Sequence, residues 1–308
     1  MGWGQNEFPK DTSFSVYSAG KKIKKDFPQA SPVQEIVSGE FLSLPNQVYR
    51  VRANRKLRMD VFLPNKECGK KRPVVMMIHG GGWRSGNKSH LVPMAQQLAI
   101  DGYVTASVEY RLSVEAIYPA AIYDLKEAIR CLKHNSDLYG IDTTKVAVLG
   151  CSSGATLASF MAATVGITKF DDPESVYSNY SSRVQALVNM DGVVDYTDPN
   201  ESRKITNPKK PSAASLFFGV TYQENPELWK EASPINYVDE NIPTTLYINS
   251  ALPRFHAGRD SLFHILDKNK TYYEVHTIEN TPHPFWLFHP WFEEAHGYLL
   301  NFLNTVFK

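Results

Sequence analysis

Cysteine is scarce in this chain of 308 residues. There are three, Cys68, Cys131 and Cys151, with no C-x-x-C spacing. An odd count at those spacings supports no disulfide framework. An excess of one charge is missing too. The net charge of +1 implies neither a nucleic acid nor a membrane surface as partner. No apolar run approaches the ~20 residues that span a bilayer. Met1-Gly2-Trp3-Gly4 opens the chain without the apolar stretch of a signal peptide. Two readings follow: a cytoplasmic protein, or a mature secreted chain whose signal was replaced by a start codon. H-E-x-x-H is absent and the late histidines lack a compact ligand spacing, so no metal and no cofactor are expected. No internal repeat or low-complexity tract occurs.

The length and apolar content suffice for one large α/β domain or two small ones. Residues 1–45 read as an irregular arm, with Pro9, Pro28, Pro32, Pro45 and the basic run Lys21-Lys22-Ile23-Lys24-Lys25. That run reads as a solvated face. A polyanion patch is the alternative, and nearby Asp26 and Glu35 weigh against it. Residues 46–308 read as one domain of alternating elements. Val48–Val51 and Arg58–Phe62 form an opening antiparallel pair. Strands follow at Val74–Ile78, Tyr103–Val108, Val146–Leu149, Val184–Met190, Thr244–Asn249 and Tyr272–Ile278. Helices are expected over Leu91–Asp101 and Ile122–His134, the second amphipathic with Ile122, Leu125, Ile129 and Leu132 on one stripe. Such alternation implies a mostly parallel, right-handed wound sheet flanked by helices. Residues 197–232 interrupt it, rich in proline and in Phe217, Phe218, Tyr222 and Trp229, and read as a lid-like insertion or substrate wall.

Two glycine-rich motifs carry the chemistry. Gly150-Cys151-Ser152-Ser153-Gly154 is a G-x-S-x-G pentapeptide between an apolar β-branched strand and a small-residue helix starting near Ala155. A serine on so sharp a turn has its Oγ pushed out above the sheet edge, and bulkier flanking residues would clash. The helix N-terminus beside it favours negative charge. The second motif, His79-Gly80-Gly81-Gly82-Trp83, follows the strand Val74–Ile78 and precedes Ser152 by 73 residues. A plain strand-to-helix turn would explain its glycines, but not their pairing with the elbow. Such a loop supplies backbone N–H groups to an oxyanion.

A serine hydroxyl needs a base. His283, in the loop just past the last strand, stands where a base must lie to reach the elbow. His276 falls inside that strand; His256, His289 and His296 read as surface residues or substrate contacts, and His264 is a further late histidine among the candidates. The acid must accept the Nδ1–H of the histidine. Asp260 is preferred, although it also suits the cap of a helix at Ser261–Leu266. Asp191, directly at the end of a strand, is the alternative; Asp195 reads as a turn cap.

With these motifs, the chain from about Val48 to Phe307 resembles the α/β-hydrolase family. Within it, the similarity is to carbohydrate esterases related to feruloyl and acetylxylan esterases and to hormone-sensitive-lipase-like enzymes. Arg58–Pro64, Val108-Glu109-Tyr110-Arg111-Leu112, Tyr118-Pro119-Ala120-Ala121-Ile122-Tyr123-Asp124 and Ser233-Pro234-Ile235 resemble further segments of that branch. The resemblance implies a serine triad of Ser152, His283 and an aspartate. It implies oxyanion donors at Gly81, Gly82 and Ser153, and hydrolysis of carboxylic esters without a cofactor. In the chain the usual acid position, just after the penultimate strand, is empty: Ala251-Leu252-Pro253-Arg254 carries no carboxylate. The expected substrate is an acetylated or feruloylated plant glycan, with a small or lipid ester as the alternative and a catalytically silent binding protein as the third reading. Trp83 and Trp286 are candidate substrate-binding aromatics, for which core packing is the bland explanation. The resemblance also favours an extracytoplasmic location.

Overall fold

The computed structural model describes residues 11–65, 69–202 and 211–308. Eight strands form one sheet: β1 (Phe41–Arg52), β2 (Arg55–Pro64), β3 (Arg72–Ile78), β4 (Val104–Val108), β5 (Ile141–Cys151), β6 (Ala186–Met190), β7 (Thr244–Ser250) and β8 (Tyr273–Ile278). Their spatial order is β1-β2-β4-β3-β5-β6-β7-β8. β1 and β2 pair antiparallel, as do β2 and β4, and every later pairing is parallel.

Strand patterning explains the layers. The interior strands are buried along their central stretches because helices cover both faces. Along β3, Val74, Met76 and Ile78 face one core, and Val75 and Met77 the other. The first core is closed by α3 (Ala120–His134), α4 (Ser153–Ala163) and α7 (Arg259–Asn269). The second is closed by α1 (Val16–Ile23), α2 (Val92–Ile100) and α8 (Trp291–Val306). This is the α/β-hydrolase arrangement.

The N-terminal arm is more ordered than its composition suggests. Ser15 caps α1 through a reciprocal bond with Ser18, and the helix buries Ala19, Gly20 and Ile23 while Lys21 and Lys22 stay in solvent. β1 begins at Phe41, inside the segment expected to be irregular. The register shifts between Leu44 and Gln47 and again between Val48 and Arg50. Those bulges break the alternation by which a strand is recognised in sequence. The segment before the elbow also starts early, at Ile141.

Two motif residues of the resemblance find each other here. Arg111 clamps Asp124 with two bonds, Nε to Oδ2 and Nη2 to Oδ1, each 2.8 Å. The Asp124 side chain is fully buried. The pair ties the segment after β4 to the N-terminal half of α3. The insertion contains the short helices α5 (Ala213–Phe218) and α6 (Pro226–Glu231). Its aromatics pack inward: Trp229, Phe217 and Phe218 are all buried. Cys131 and Cys151 are free and buried; Cys68 and Pro208 lie outside the described residues.

Candidate active site

Ser152 has φ 54° and ψ −126°. A non-glycine residue there costs roughly 1–3 kcal/mol and persists only when its surroundings hold it. They do so through hydrogen bonds. The Ser152 N–H donates to the Met190 carbonyl at 2.8 Å, and the Ser152 carbonyl accepts from Ala155 N and Thr156 N. The flanking glycines are required by close approach. A Cβ on Gly150 would stand 2.2 Å from the Gly154 carbonyl oxygen, and one on Gly154 would stand 2.2 Å from that of Ile78.

The Ser152 hydroxyl lies 2.8 Å from Nε2 of His283. The Nδ1 of the same ring lies 2.8 Å from Oδ2 of Asp191. A carboxylate only accepts, so Nδ1 carries the hydrogen and Nε2 offers its lone pair to the serine hydroxyl. Oδ1 of Asp191 accepts from the Ser250 N–H at 2.8 Å, and the Asp191 side chain is fully buried.

The preferred acid, Asp260, is therefore corrected to Asp191. Strand register is the reason. Cys151 of β5 pairs with Met190 of β6, and Met190 with Ile248 of β7. Ser152 and Asp191 thus leave adjacent strands side by side, and Asp191 stays in the ladder through its N–H to Ile248 O at 3.1 Å. Asp260 sits ten residues beyond the end of β7, exposed, in the first turn of α7. A carboxylate there complements the helix dipole. Asp195 accepts from Thr197 N–H and Oγ at 2.7 Å, a turn cap.

The glycine loop faces the same point. A Cβ on Gly80 would meet Cys151 O at 2.8 Å and Ser152 Cβ at 2.9 Å, so this backbone lies against the elbow. Gly81 and Gly82 have φ 132° and 63°. Among the described residues, no acceptor engages the N–H of Gly81, Gly82 or Ser153. His79 supports the loop from beneath. Its ring stacks on Tyr110 at 4.5 Å, and its Nδ1–H donates to the Gly80 carbonyl. Burial holds its pKa down at about 3, so the ring is neutral at ordinary pH.

The pattern of one sequence family matches residues 59–252, well over half of the chain, and it is described as BD-FAE. The chain belongs to the BD-FAE family. Esterase LipQ of Mycobacterium tuberculosis is 29% identical over 183 residues, 58% of this chain and 42% of that protein. The chain spans less than half the length of the curated mycobacterial relatives it matches. A solved structure described as a truncated form of carbohydrate esterase from gut microbiota superposes with a TM-score of 0.74 at 23% identity, covering 88% of this chain and all of that one. The bifunctional GH43-CE protein of Bacteroides eggerthii gives a TM-score of 0.74 at 25% identity, covering 85% of this chain and 38% of that one.

In this BD-FAE chain the two tryptophans singled out in sequence belong to the core. Trp83 is 6% exposed, stacked on Phe217 of the insertion at 5.3 Å and leaning on Tyr196. Trp286 is 3% exposed and nearly perpendicular to the His283 ring, with 5.3 Å between centroids. Neither offers a free face to a sugar ring, because α5 covers one and α8 with its preceding loop encloses the other. Phe288, Trp291 and Phe292 are buried as well.

The other histidines are accounted for locally. His276 stacks on Tyr298 and bonds Glu274; His289 bonds Glu293, His296 bonds Asp101, and His264 bonds the Asp260 carbonyl. His256 lies nearer the site: its Nε2 is 3.1 Å from Ser250 O and 4.0 Å from Asp191 Oδ1. Sequence reasoning missed Ser250 and Phe255. Ser250 acts through its backbone, which leaves no residue signal. Phe255 stacks on His283, and nothing in the loop pattern distinguishes it from an ordinary exposed aromatic.

Proposed function

We propose that the chain is a serine carboxylic-ester hydrolase that removes acetyl or feruloyl groups from plant polysaccharide. The observation that carries the hydrolase reading is the unbroken chain of hydrogen bonds from Ser152 through His283 to Asp191, beside three backbone donors that no acceptor among the described residues engages. In this mechanism Ser152 Oγ attacks the ester carbonyl carbon while His283 Nε2 takes its proton. The carbonyl oxygen becomes an oxyanion, held by N–H groups of Gly81, Gly82 and Ser153; one such donor is typically worth ~10²–10³ in rate. Asp191 holds the tautomer and stabilises the imidazolium. His283 then protonates the leaving alcohol. Water, deprotonated by the same ring, releases the acid and restores the serine.

The glycan part of the reading is supported by the carbohydrate-esterase descriptions of two structural neighbours. The second reading, a carboxylesterase for small or lipid esters, is favoured by the esterase names of the mycobacterial relatives. An extracytoplasmic location belongs with the glycan reading. No helix among the described residues is long and apolar enough to cross a membrane. Released acetate and ferulate would be measured on acetylated xylan, acetylated pectin and feruloylated arabinoxylan, beside p-nitrophenyl esters of rising chain length. Release from a glycan, abolished by Ser152→Ala, is the expected result. Activity confined to long-chain esters would overturn the glycan assignment, and a Ser152→Ala protein as active as its parent would overturn the serine mechanism.

A further inference from the structure

The loop after β7, where a carboxylate would ordinarily be sought, carries an aromatic ring instead. Phe255 lies in the short 3-10 turn Pro253–His256, with its N–H bonded to Leu252 O. Its ring is parallel to the His283 imidazole, with 7° between the planes and 3.4 Å between centroids. The Trp286 ring lies nearly perpendicular to the same imidazole. The base is thus held by two aromatic rings, one parallel and one perpendicular to it, with its two nitrogens directed at Ser152 and Asp191.

The loop that presents Phe255 is tied down at several points. His256 Nε2 bonds the Ser250 carbonyl, which makes it the donor at 3.1 Å. The Val194 N–H donates to Ala257 O at 3.0 Å, and the Gly258 N–H to Asp198 Oδ2 at 3.3 Å. Gly258 itself has φ 80°, and a Cβ there would stand 2.4 Å from Asp195 Cβ. These bonds fix the ring against the segment that follows Asp191.

We propose that Phe255 is a positioning residue that holds His283 in register with Ser152 and Asp191 and stabilises its protonated form through the aromatic face. The proposal rests on the ester-hydrolase reading for its effect on rate, but not for its effect on the imidazole. Two physical arguments support it. A ring face at stacking distance restricts the rotation of the histidine about its own bonds, which preserves the geometry needed for proton transfer. The π-face also carries negative potential and attracts the imidazolium that forms as the serine loses its proton. The neutral imidazole gains less, so the interaction strengthens toward the transition state.

Among the described residues, the charged and titratable groups around the ring are Asp191 on the loop after β6, His256 beside that carboxylate, Arg259, which interacts with Asp191 from the start of α7, and Arg254 over the Phe255 ring at 5.1 Å. A change confined to residue 255 leaves each of them in the sequence.

The test compares Phe255→Leu, Phe255→Met and Phe255→Tyr with the parent. Leu and Met keep an apolar side chain without a π-face; Tyr keeps the face. The His283 titration is followed by NMR of the ring nitrogens, and ester hydrolysis as a function of pH is followed in parallel. In the Leu and Met variants the midpoint of His283 should fall by a few tenths of a pH unit. The kcat should fall roughly three- to tenfold, with KM little changed. Phe255→Tyr should restore both. A Leu or Met variant with the parent's midpoint and kcat would overturn the proposal, as would a Tyr variant as impaired as Leu. If the parent hydrolyses no ester while the midpoint still shifts as described, the functional reading fails and the positioning role stands.

Discussion

Replacing Asp191 by Asn tests the acid assignment with almost no change in shape. Two neighbours decide the orientation of the new amide. The Ser250 N–H points at the Oδ1 position from 2.8 Å and needs an acceptor. The amide carbonyl oxygen therefore turns to Ser250, and the amide NH₂ faces His283 Nδ1. That nitrogen then must accept, so the ring hydrogen moves to Nε2, the atom that faces Ser152 at 2.8 Å. A ring with its hydrogen on that side has no lone pair for the serine proton. The expected loss is ~10⁴ in kcat, equivalent to about 5 kcal/mol of transition-state stabilisation. Asp260→Asn is the control. Its carboxylate is exposed at the start of α7, so it should cost under ~1 kcal/mol of stability and leave kcat near the parent value. Initial rates on p-nitrophenyl acetate at saturation, with folded protein verified by circular dichroism, measure both. An Asp191→Asn protein retaining more than about a tenth of parent kcat, or an Asp260→Asn protein with the larger loss, would refute the reasoning.

Asp124→Ala should destabilise the fold by ~3–5 kcal/mol, because it strands the Arg111 guanidinium beside a buried cavity; a urea titration with an unchanged midpoint would contradict this. Acid should weaken the protein through two buried histidines, His79 held down at about 3 and His90 at about 4 by desolvation. Below the unfolded value of about 6.5 the unfolded chain takes up protons that these native rings refuse, so stability falls as pH drops until the native rings titrate too. His90→Leu should therefore flatten the dependence of unfolding free energy on pH between 6 and 4.5 by about 1 kcal/mol per pH unit, and parallel slopes would count against it. Cys131 and Cys151 are buried with thiol pKa values pushed up, so an aromatic disulfide reagent should leave both unmodified in the native protein and label both in urea. Modification of either at a rate independent of denaturant would disprove that.

Much of the architecture is visible in short stretches of the chain. Val74–Ile78 and Val146–Leu149 are continuous apolar runs, and Val104–Val108 is broken only by Thr105 and Ser107, because parallel strands are covered on both faces. The bulges near Leu44 and Val48 hid the start of β1, since each slips the alternation by a residue. The helix in the N-terminal arm rests on docking against Phe288, nearly at the other end of the chain, which no local pattern conveys.

The serine, the histidine and the glycine loop announce themselves because strand, sharp turn and tight approach are local demands on the backbone, written in consecutive residues. The choice of carboxylate is not local. Asp191, Asp195 and Asp260 all follow strands, and only the β5–β6 register, which sets residue 191 beside residue 152, selects among them. The same holds for Trp83 and Trp286, whose faces are claimed by elements distant in sequence, and for Phe255, which is brought over His283 by a loop bonded to another strand's end. Register and packing between remote segments depend on which apolar faces meet, and that is settled when the layers close.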